Sequence, residues 1–148
     1  MSFVATVSRS IRANAVEAFA KFSDFELWSK FMPASFRPIR GPQRKLMAGD
    51  LLRMRLDTGA IKLPVAVQVF RVEAPRTISW GGGSRLLHAD HRFVFEAQDD
   101  DTVVIRSDEE WSGLLTSVAP IAKRIRRQAE AVAIEQLDGF ARFIERSD

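Results

Sequence analysis

Residues 91–113 read HRFVFEAQDDDTVVIRSDEEWSG, and the reading of this stretch decides the fold. His91, Phe93 and Phe95 alternate with Arg92, Val94 and Glu96. Val103, Ile105, Ser107, Glu109 and Trp111 then alternate with Val104, Arg106, Asp108 and Glu110. A period of two belongs to β-strands, whose successive side chains point to opposite faces. Asp99, Asp100 and Asp101 supply turn chemistry between the two runs, so the stretch predicts an antiparallel hairpin. Beyond Gly113 the period changes. From about Thr116 to Arg146, Val118, Ile121, Ile125, Ala129, Val132, Ala133, Gln136, Leu137, Phe140 and Ile144 recur at helical spacing, with no proline after Pro120. This predicts one amphipathic helix of roughly thirty residues, near 45 Å if straight.

Towards the N-terminus the pattern remains that of strands. Leu52, Met54 and Leu56 alternate with Arg53, Arg55 and Asp57, and Asp57-Thr58-Gly59 turns the chain into a second strand from about Ile61 to Val72. Ala74-Pro75-Arg76 breaks the run, Thr77 to Trp80 resumes it, and Gly81-Gly82-Gly83 ends it. The opening residues from Phe3 to Ile11 alternate as a strand and stop before Asn14, a good helix N-cap. Apolar positions from Ala15 to Phe31 then fit two short helices divided at Ser23-Asp24, and Pro33, Pro38, Gly41 and Pro42 punctuate an irregular stretch or short edge strand. The order is strand, two short helices, about six strands and a long helix. It predicts an α+β chain in which a curved antiparallel sheet wraps round its C-terminal helix, because nothing else can cover the sheet's apolar face.

Composition narrows the chemistry. The chain has 148 residues, 46% hydrophobic and 28% charged, as expected of one ordinary domain with an apolar core. Zero Cys excludes disulfides, thiol nucleophiles and Cys-ligated metals. With only His88 and His91 besides, neither a metal nor a cofactor is expected. Net charge is +3. No stretch reaches the length of a membrane span, and the alternating N-terminus is unlike a signal peptide, so the expectation is a cytoplasmic, unprocessed protein. There is no internal repeat and no linker-like tract, so residues 1–148 are read as a single domain.

The element order, with the segments SIRANAVEAFAKFSDFELWSKFMP (10–33), VEAPRTISW (72–80), HRFVFEAQDDDTVVIRSDEEWSG (91–113) and QLDGFARFIE (136–145), resembles the START-like, or SRPBCC, superfamily in its polyketide cyclase/dehydrase-like branch. The resemblance covers nearly the whole chain. It implies a helix-grip fold of about six to seven strands in which the long helix roofs a deep apolar cavity that takes lipids, sterols, polyketides, quinones or similar molecules. Only some members are catalytic, and no Asp/Arg/His set of the enzymatic members is recognisable here, so the resemblance transfers no catalytic residue.

On that fold, strand alternation places Leu52, Met54, Leu56, Phe70, Ile78, Trp80, His91, Phe93, Phe95, Ile105, Ser107, Glu109 and Trp111 on the concave, ligand-binding face; a single bulge would invert part of the set. His91 is suited to orient a ligand carbonyl or move a proton, or else to hydrogen-bond a neighbouring element as an ordinary core residue. An inward Glu109 would have a raised pKa and would need an Arg, a His or a ligand as partner. The alternative is a solvated Asp108-Glu109-Glu110 strand end paired with Arg residues next door. Gly81–Gly83 lacks the Lys-Ser/Thr and the helix of a phosphate loop. The cluster Lys123-Arg124-Ile125-Arg126-Arg127 and the set Arg37, Arg40, Arg44 and Lys45 are free of acids, but no aromatics are interleaved to stack nucleic-acid bases, so DNA is not an expected partner.

Three functions follow. The first is binding or transport of a hydrophobic small molecule in the cavity. The second is a cyclase or dehydratase-like enzyme using His91 or Glu109 as acid/base. The third is an interaction module whose basic helix makes transient contact with a membrane, a quinone-pathway partner or a ribosome. Oligomeric state is not legible in the sequence.

Overall fold

The computed structural model describes residues 2–57, 59 and 62–146. Seven antiparallel strands form one sheet in the order β1-β7-β6-β5-β4-β3-β2. They are β1 (Ser2–Arg12), β2 (Phe36–Arg40), β3 (Leu51–Asp57), β4 (Lys62–Glu73), β5 (Thr77–Gly83), β6 (His88–Asp99) and β7 (Thr102–Ser112). Between β1 and β2 lie α1 (Ala15–Phe22), a 3-10 turn at Phe25–Leu27 and the single turn α2 (Trp28–Phe31). After β7 come a second 3-10 turn at Leu114–Ser117 and α3 (Ala119–Glu145). The architecture is the expected helix-grip, with seven strands and a helix of 27 residues.

Local chemistry explains the boundaries. The Asn14 side chain accepts from the Val16 and Glu17 N–H groups and starts α1, and Asp24 accepts from Glu26 N–H at the 3-10 turn. Pro38 lies in β2, at the edge of the sheet, where no second ladder needs its missing donor. The Asp57-Thr58-Gly59 turn lies partly outside the described residues. Gly81–Gly83 does not follow β5 but belongs to it, paired with Asp90, Ala89 and His88. At Gly82 a Cβ would sit 2.3 Å from Ala66 O, so only glycine lets β5 approach β4 there. Strand β6 begins at His88, three residues before the alternation that announced it.

The long helix lies along β1 and runs in the same direction. Arg126 donates to Val4 O and stacks on Phe3, Arg9 pairs with Asp138, and Glu145 accepts from Arg12 N–H. From Val4 to Arg9 is about 17 Å of strand, matched by about 18 Å of helix from Arg126 to Asp138. The C-terminal half of α3 is the more deeply sunk. Its Phe140 packs on Phe22 of α1 (5.1 Å between centroids), which also meets Phe93 at 4.7 Å, Phe95 at 5.5 Å and Trp80 at 6.2 Å. Phe31 joins this cluster against both Phe22 and Phe140. Gly139 lets the backbones of α3 and α2 close up, since a Cβ would lie 2.4 Å from Phe31 O. Trp28 Nε1 donates to Phe22 O (2.8 Å), leaving no unpaired polar atom on the indole. Among the described residues no helix is long and apolar enough to cross a membrane.

Phe22→Ala is expected to cost about 3–5 kcal/mol of folding free energy, whereas Phe70→Ala, on a ring 47% exposed, should cost about 1 kcal/mol or less. Chemical denaturation of both variants checks this, and similar losses at the two sites would contradict the packing.

Candidate functional site

Strand register brings the candidate residues together in rows across the concave face. Glu109, His91, Trp80 and Val69 form one row, through the pairs His91↔Glu109, Trp80↔His91 and Val69↔Trp80. The next row towards the β5–β6 turn holds Trp111 and Ala89, and the next one inward holds Ser107, Phe93 and Ile78. Leu52, Met54, Ile78, Trp80, His91, Phe93, Phe95, Ile105 and Ser107 are buried. Leu56, Glu109 and Trp111 retain part of their exposure.

Phe70 is the correction to the expected set. The inward positions of β4 are Val67 and Val69, which pair with Leu52 and Trp80, and a bulge between Val69 and Arg71 shifts the register beyond them. Phe70 therefore points to the outer face, where its ring covers Gly81. The run Val-Gln-Val-Phe-Arg-Val from Val67 to Val72 contains two competing alternations, and only pairing with neighbouring strands chooses between them.

The polar residues form a chain. His91 Nε2 is 2.6 Å from Ser107 Oγ, and His91 Nδ1 is 3.3 Å from Glu109 Oε2. The other carboxylate oxygen, Oε1, accepts from Trp111 Nε1 at 3.1 Å. The imidazole stacks on Phe93 at 4.2 Å and lies 5.6 Å from Trp80. Burial in these aromatic surroundings opposes charge on both titratable partners. It pushes His91 down to about 3 and Glu109 up to about 7, the latter against the Trp111 hydrogen bond, which favours the carboxylate. Glu109 thus has the His partner that an inward carboxylate requires.

Its neighbour behaves differently. Asp108 faces the other way, where burial would raise its pKa, but hydrogen bonds from Arg106, Arg92 and Thr6 outweigh this and hold it below its ordinary value. The Arg-paired strand end describes Asp108, not Glu109.

The two protonation states of Glu109 allow the pair two hydrogen-bond arrangements. When Glu109 is protonated it donates to Nδ1, and Nε2–H donates to Ser107. When Glu109 is ionised, Nδ1–H donates to it, and the Ser107 hydroxyl donates to Nε2. Loss of one proton from the carboxyl changes the imidazole tautomer and reverses the serine hydrogen bond. The Ser-His-Glu order is that of a nucleophilic triad, but Ser107 is wholly buried. Its hydroxyl serves to orient His91.

One further polar group belongs to the interior. Gln136, on the inward stripe of α3, is 1% exposed; its Nε2 donates to Met32 Sδ at 3.8 Å and its Oε1 has no partner among the described residues. Exchanging the amide atoms would leave one of them unpartnered all the same. The signal was present in the sequence, a glutamine within an otherwise apolar helical stripe.

The expected deep cavity is partly occupied by protein. Phe22, Phe31 and Phe140 fill the interior next to Phe93 and Phe95, so the aromatic residues there are core. Two surface grooves open elsewhere. One of about 620 Å³ lies between α2 and the C-terminal half of α3, and one of about 560 Å³ lies beside Val16, Pro75 and Phe95. Neither is lined by His91, Glu109 or Trp111. No group of His, Cys, Asp and Glu capable of holding a metal ion occurs among the described residues.

No family model matches the chain, and no curated protein does. Solved structures match over nearly its full length. Norcoclaurine synthase from Thalictrum flavum superposes with a TM-score of 0.74 at 12% identity, covering 100% of this chain and 89% of that one. The Zhui aromatase/cyclase from Streptomyces sp. R1128 superposes at 0.73 and 11% identity, covering 99% and 95%. A START superfamily protein from Mycobacterium smegmatis superposes at 0.71 and 15% identity, covering 95% and 98%. With its seven-stranded curved sheet and its long C-terminal helix, the chain has the helix-grip fold, similar to that of the aromatase/cyclase and of the START superfamily protein.

Proposed function

We propose that the chain, as one domain over residues 1–148, binds a hydrophobic small molecule of the polyketide, quinone or lipid kind at the polar end of its concave face. The carrying observation is the Ser107–His91–Glu109–Trp111 chain on a face otherwise built of aromatic and aliphatic side chains. Such a chain costs stability that an apolar row would not, and it offers a neutral donor and acceptor to a ligand carbonyl or hydroxyl. Because Phe22 and Phe140 fill the interior beside Phe93 and Phe95, this reading has the ligand lie beside His91, Glu109 and Trp111. Gln136, with its unpartnered carbonyl, supports a ligand that carries a hydrogen-bond donor on the side facing the helix.

A second reading has its own support. A carboxyl that titrates near 7 in contact with a neutral imidazole is an acid/base pair matched to neutral pH. The same site would then enolise or dehydrate a carbonyl compound, with Glu109 and His91 relaying the proton. Turnover of a polyketide-like probe that survives both His91→Ala and Glu109→Gln would reject this assignment.

The binding proposal is tested by native mass spectrometry of protein purified from its own host. The wild-type chain should carry an apolar ligand, and His91→Ala should reduce its occupancy while the fold remains intact. A ligand-free wild type, or equal occupancy in the variant, counts against the site. Gln136→Met should stabilise the ligand-free protein by about 1 kcal/mol, since it removes an unsatisfied buried amide, and should lower ligand occupancy. A loss of stability would show that the amide has a partner already.

The pair also sets a pH dependence. Unfolded, His91 takes a proton below about 6.5, the ordinary value, and Glu109 releases its own above about 4.5. Folded, His91 stays neutral down to about 3 and Glu109 keeps its proton up to about 7. Between about 4.5 and 6.5 each state therefore holds one proton, on Glu109 when folded and on His91 when unfolded. The pair's contribution is flat in this window and falls as the pH drops further. In Glu109→Gln only the unfolded state takes that proton, so stability should rise with pH through the same window. At about pH 8 the variant should exceed wild type by on the order of 2 kcal/mol, the cost of a buried carboxylate having been removed. Denaturant unfolding across pH checks this; parallel curves for the two proteins would refute it.

A further inference from the structure

We propose that the end of the sheet next to the start of α3 docks on an anionic lipid surface. Three segments meet there: the turn between β5 and β6, the 3-10 turn at Leu114–Ser117, and the first turns of α3. Leu114 N–H donates to Arg85 O (3.1 Å) and Leu115 N–H donates to Leu86 O (3.0 Å), so backbone hydrogen bonds staple the first two together. The combined tip presents Leu86, Leu114, Val118 and Ile121, which are 53%, 68%, 45% and 38% exposed. Large aliphatic side chains gathered on adjoining turns form a patch, unlike single exposed residues, which need no explanation.

The charge carried by the turns of this tip has one sign, the exposed acids Asp90 and Glu110 lying two residues further in on β6 and β7. Arg85, Lys123, Arg124 and Arg127 are exposed, and among the described residues none of them is in an ion pair. Neither the stretch from Gly113 to Gln128 nor that from Ser84 to Ala89 contains an acid. Arg126 is the exception that defines the rest. It is spent on Val4 O and the Phe3 ring, holding the helix to β1, whereas the other four have no structural task.

An aliphatic tip whose own turns carry cations and no acid complements a bilayer interface. The leucines enter the boundary of the acyl chains while the guanidinium and ammonium groups meet lipid phosphates. A protein partner is the weaker fit, because the exposed apolar set has none of the Trp, Tyr or Phe anchors on which protein interfaces centre. The location is also apt. Ser112 pairs with His88 at the same end of the sheet, and Glu109 lies only about 10 Å of strand further in. The polar end of the concave face and the docking tip are therefore neighbours, although the docking proposal stands whether or not that face takes a ligand.

Co-sedimentation of the full chain with vesicles tests it. Vesicles of equal parts phosphatidylglycerol and phosphatidylcholine should bind the protein at about 0.1 M salt and release much of it at about 0.5 M, and vesicles of phosphatidylcholine alone should not bind it. The double variant Leu86→Ser/Leu114→Ser should weaken binding about tenfold or more, and Arg124→Glu/Arg127→Glu should do the same. All four side chains are exposed, so unchanged thermal midpoints are expected and serve as the folding control. Failure to bind the anionic vesicles, equal binding to both kinds, or undiminished binding by either variant overturns the proposal. A wild type that ignores vesicles but self-associates, with association lost in the leucine variant, overturns it in favour of a protein partner.

Discussion

The packing of Phe22 between Phe140 on the long helix and Phe93, Phe95 and Trp80 on the sheet is the contact on which the rest of the structure rests. Contacts along β1 hold α3 at one edge of the sheet, and the rest of the apolar face needs a further element against it. Phe22 supplies the missing bracket. It is carried on α1, which the Asn14 cap starts at the end of β1, and it inserts between α3 and the strands β5 and β6. Trp28 ties the following turn to the same point through Phe22 O, and Gly139 lets α2 and α3 close against it.

The position of this plug divides the concave face. Where the aromatic rings meet, the face is core in the ordinary sense, dense and free of polar groups. Towards the β5–β6 turn the rings give way to Ser107, His91, Glu109 and Trp111, which satisfy one another, and the helix above them is held by Arg126 and Arg9 to β1. The chemistry that is unusual for a protein interior lies at that end. A neutral imidazole next to a carboxyl titrating near 7 is maintained by exclusion of water.

The same end of the molecule also carries its unbalanced surface. Several cations elsewhere are paired, Arg44 with Asp50, Arg92 and Arg106 with Asp108, and Arg9 with Asp138. Around Leu114 they are not. An interior that offers polar anchors and a rim that combines leucines with unpaired arginines are separate features by sequence position, and the antiparallel register of β6 and β7 is what brings them within a few residues of each other.

The sequence by itself determined the order of elements, their type and the need for a sheet to wrap a helix, because periods of two and of three to four residues are local properties written into neighbouring side chains. Asn14 and the three aspartates after Gln98 marked element ends for equally local reasons. The inward assignment of His91, Ser107 and Glu109 was legible from the same alternation. Tertiary structure alone decided the remainder. It turned Phe70 outward through the pairing of Val69 with Trp80, gave Glu109 a histidine and Asp108 two arginines, and set Phe22 and Phe140 into space that strand alternation left open for a ligand. It also gathered Leu86, Leu114 and Ile121 into one patch. Those outcomes depend on register, on how far a helix stands off a sheet and on which turns adjoin. These are relations between distant parts of the chain, and no local pattern encodes them.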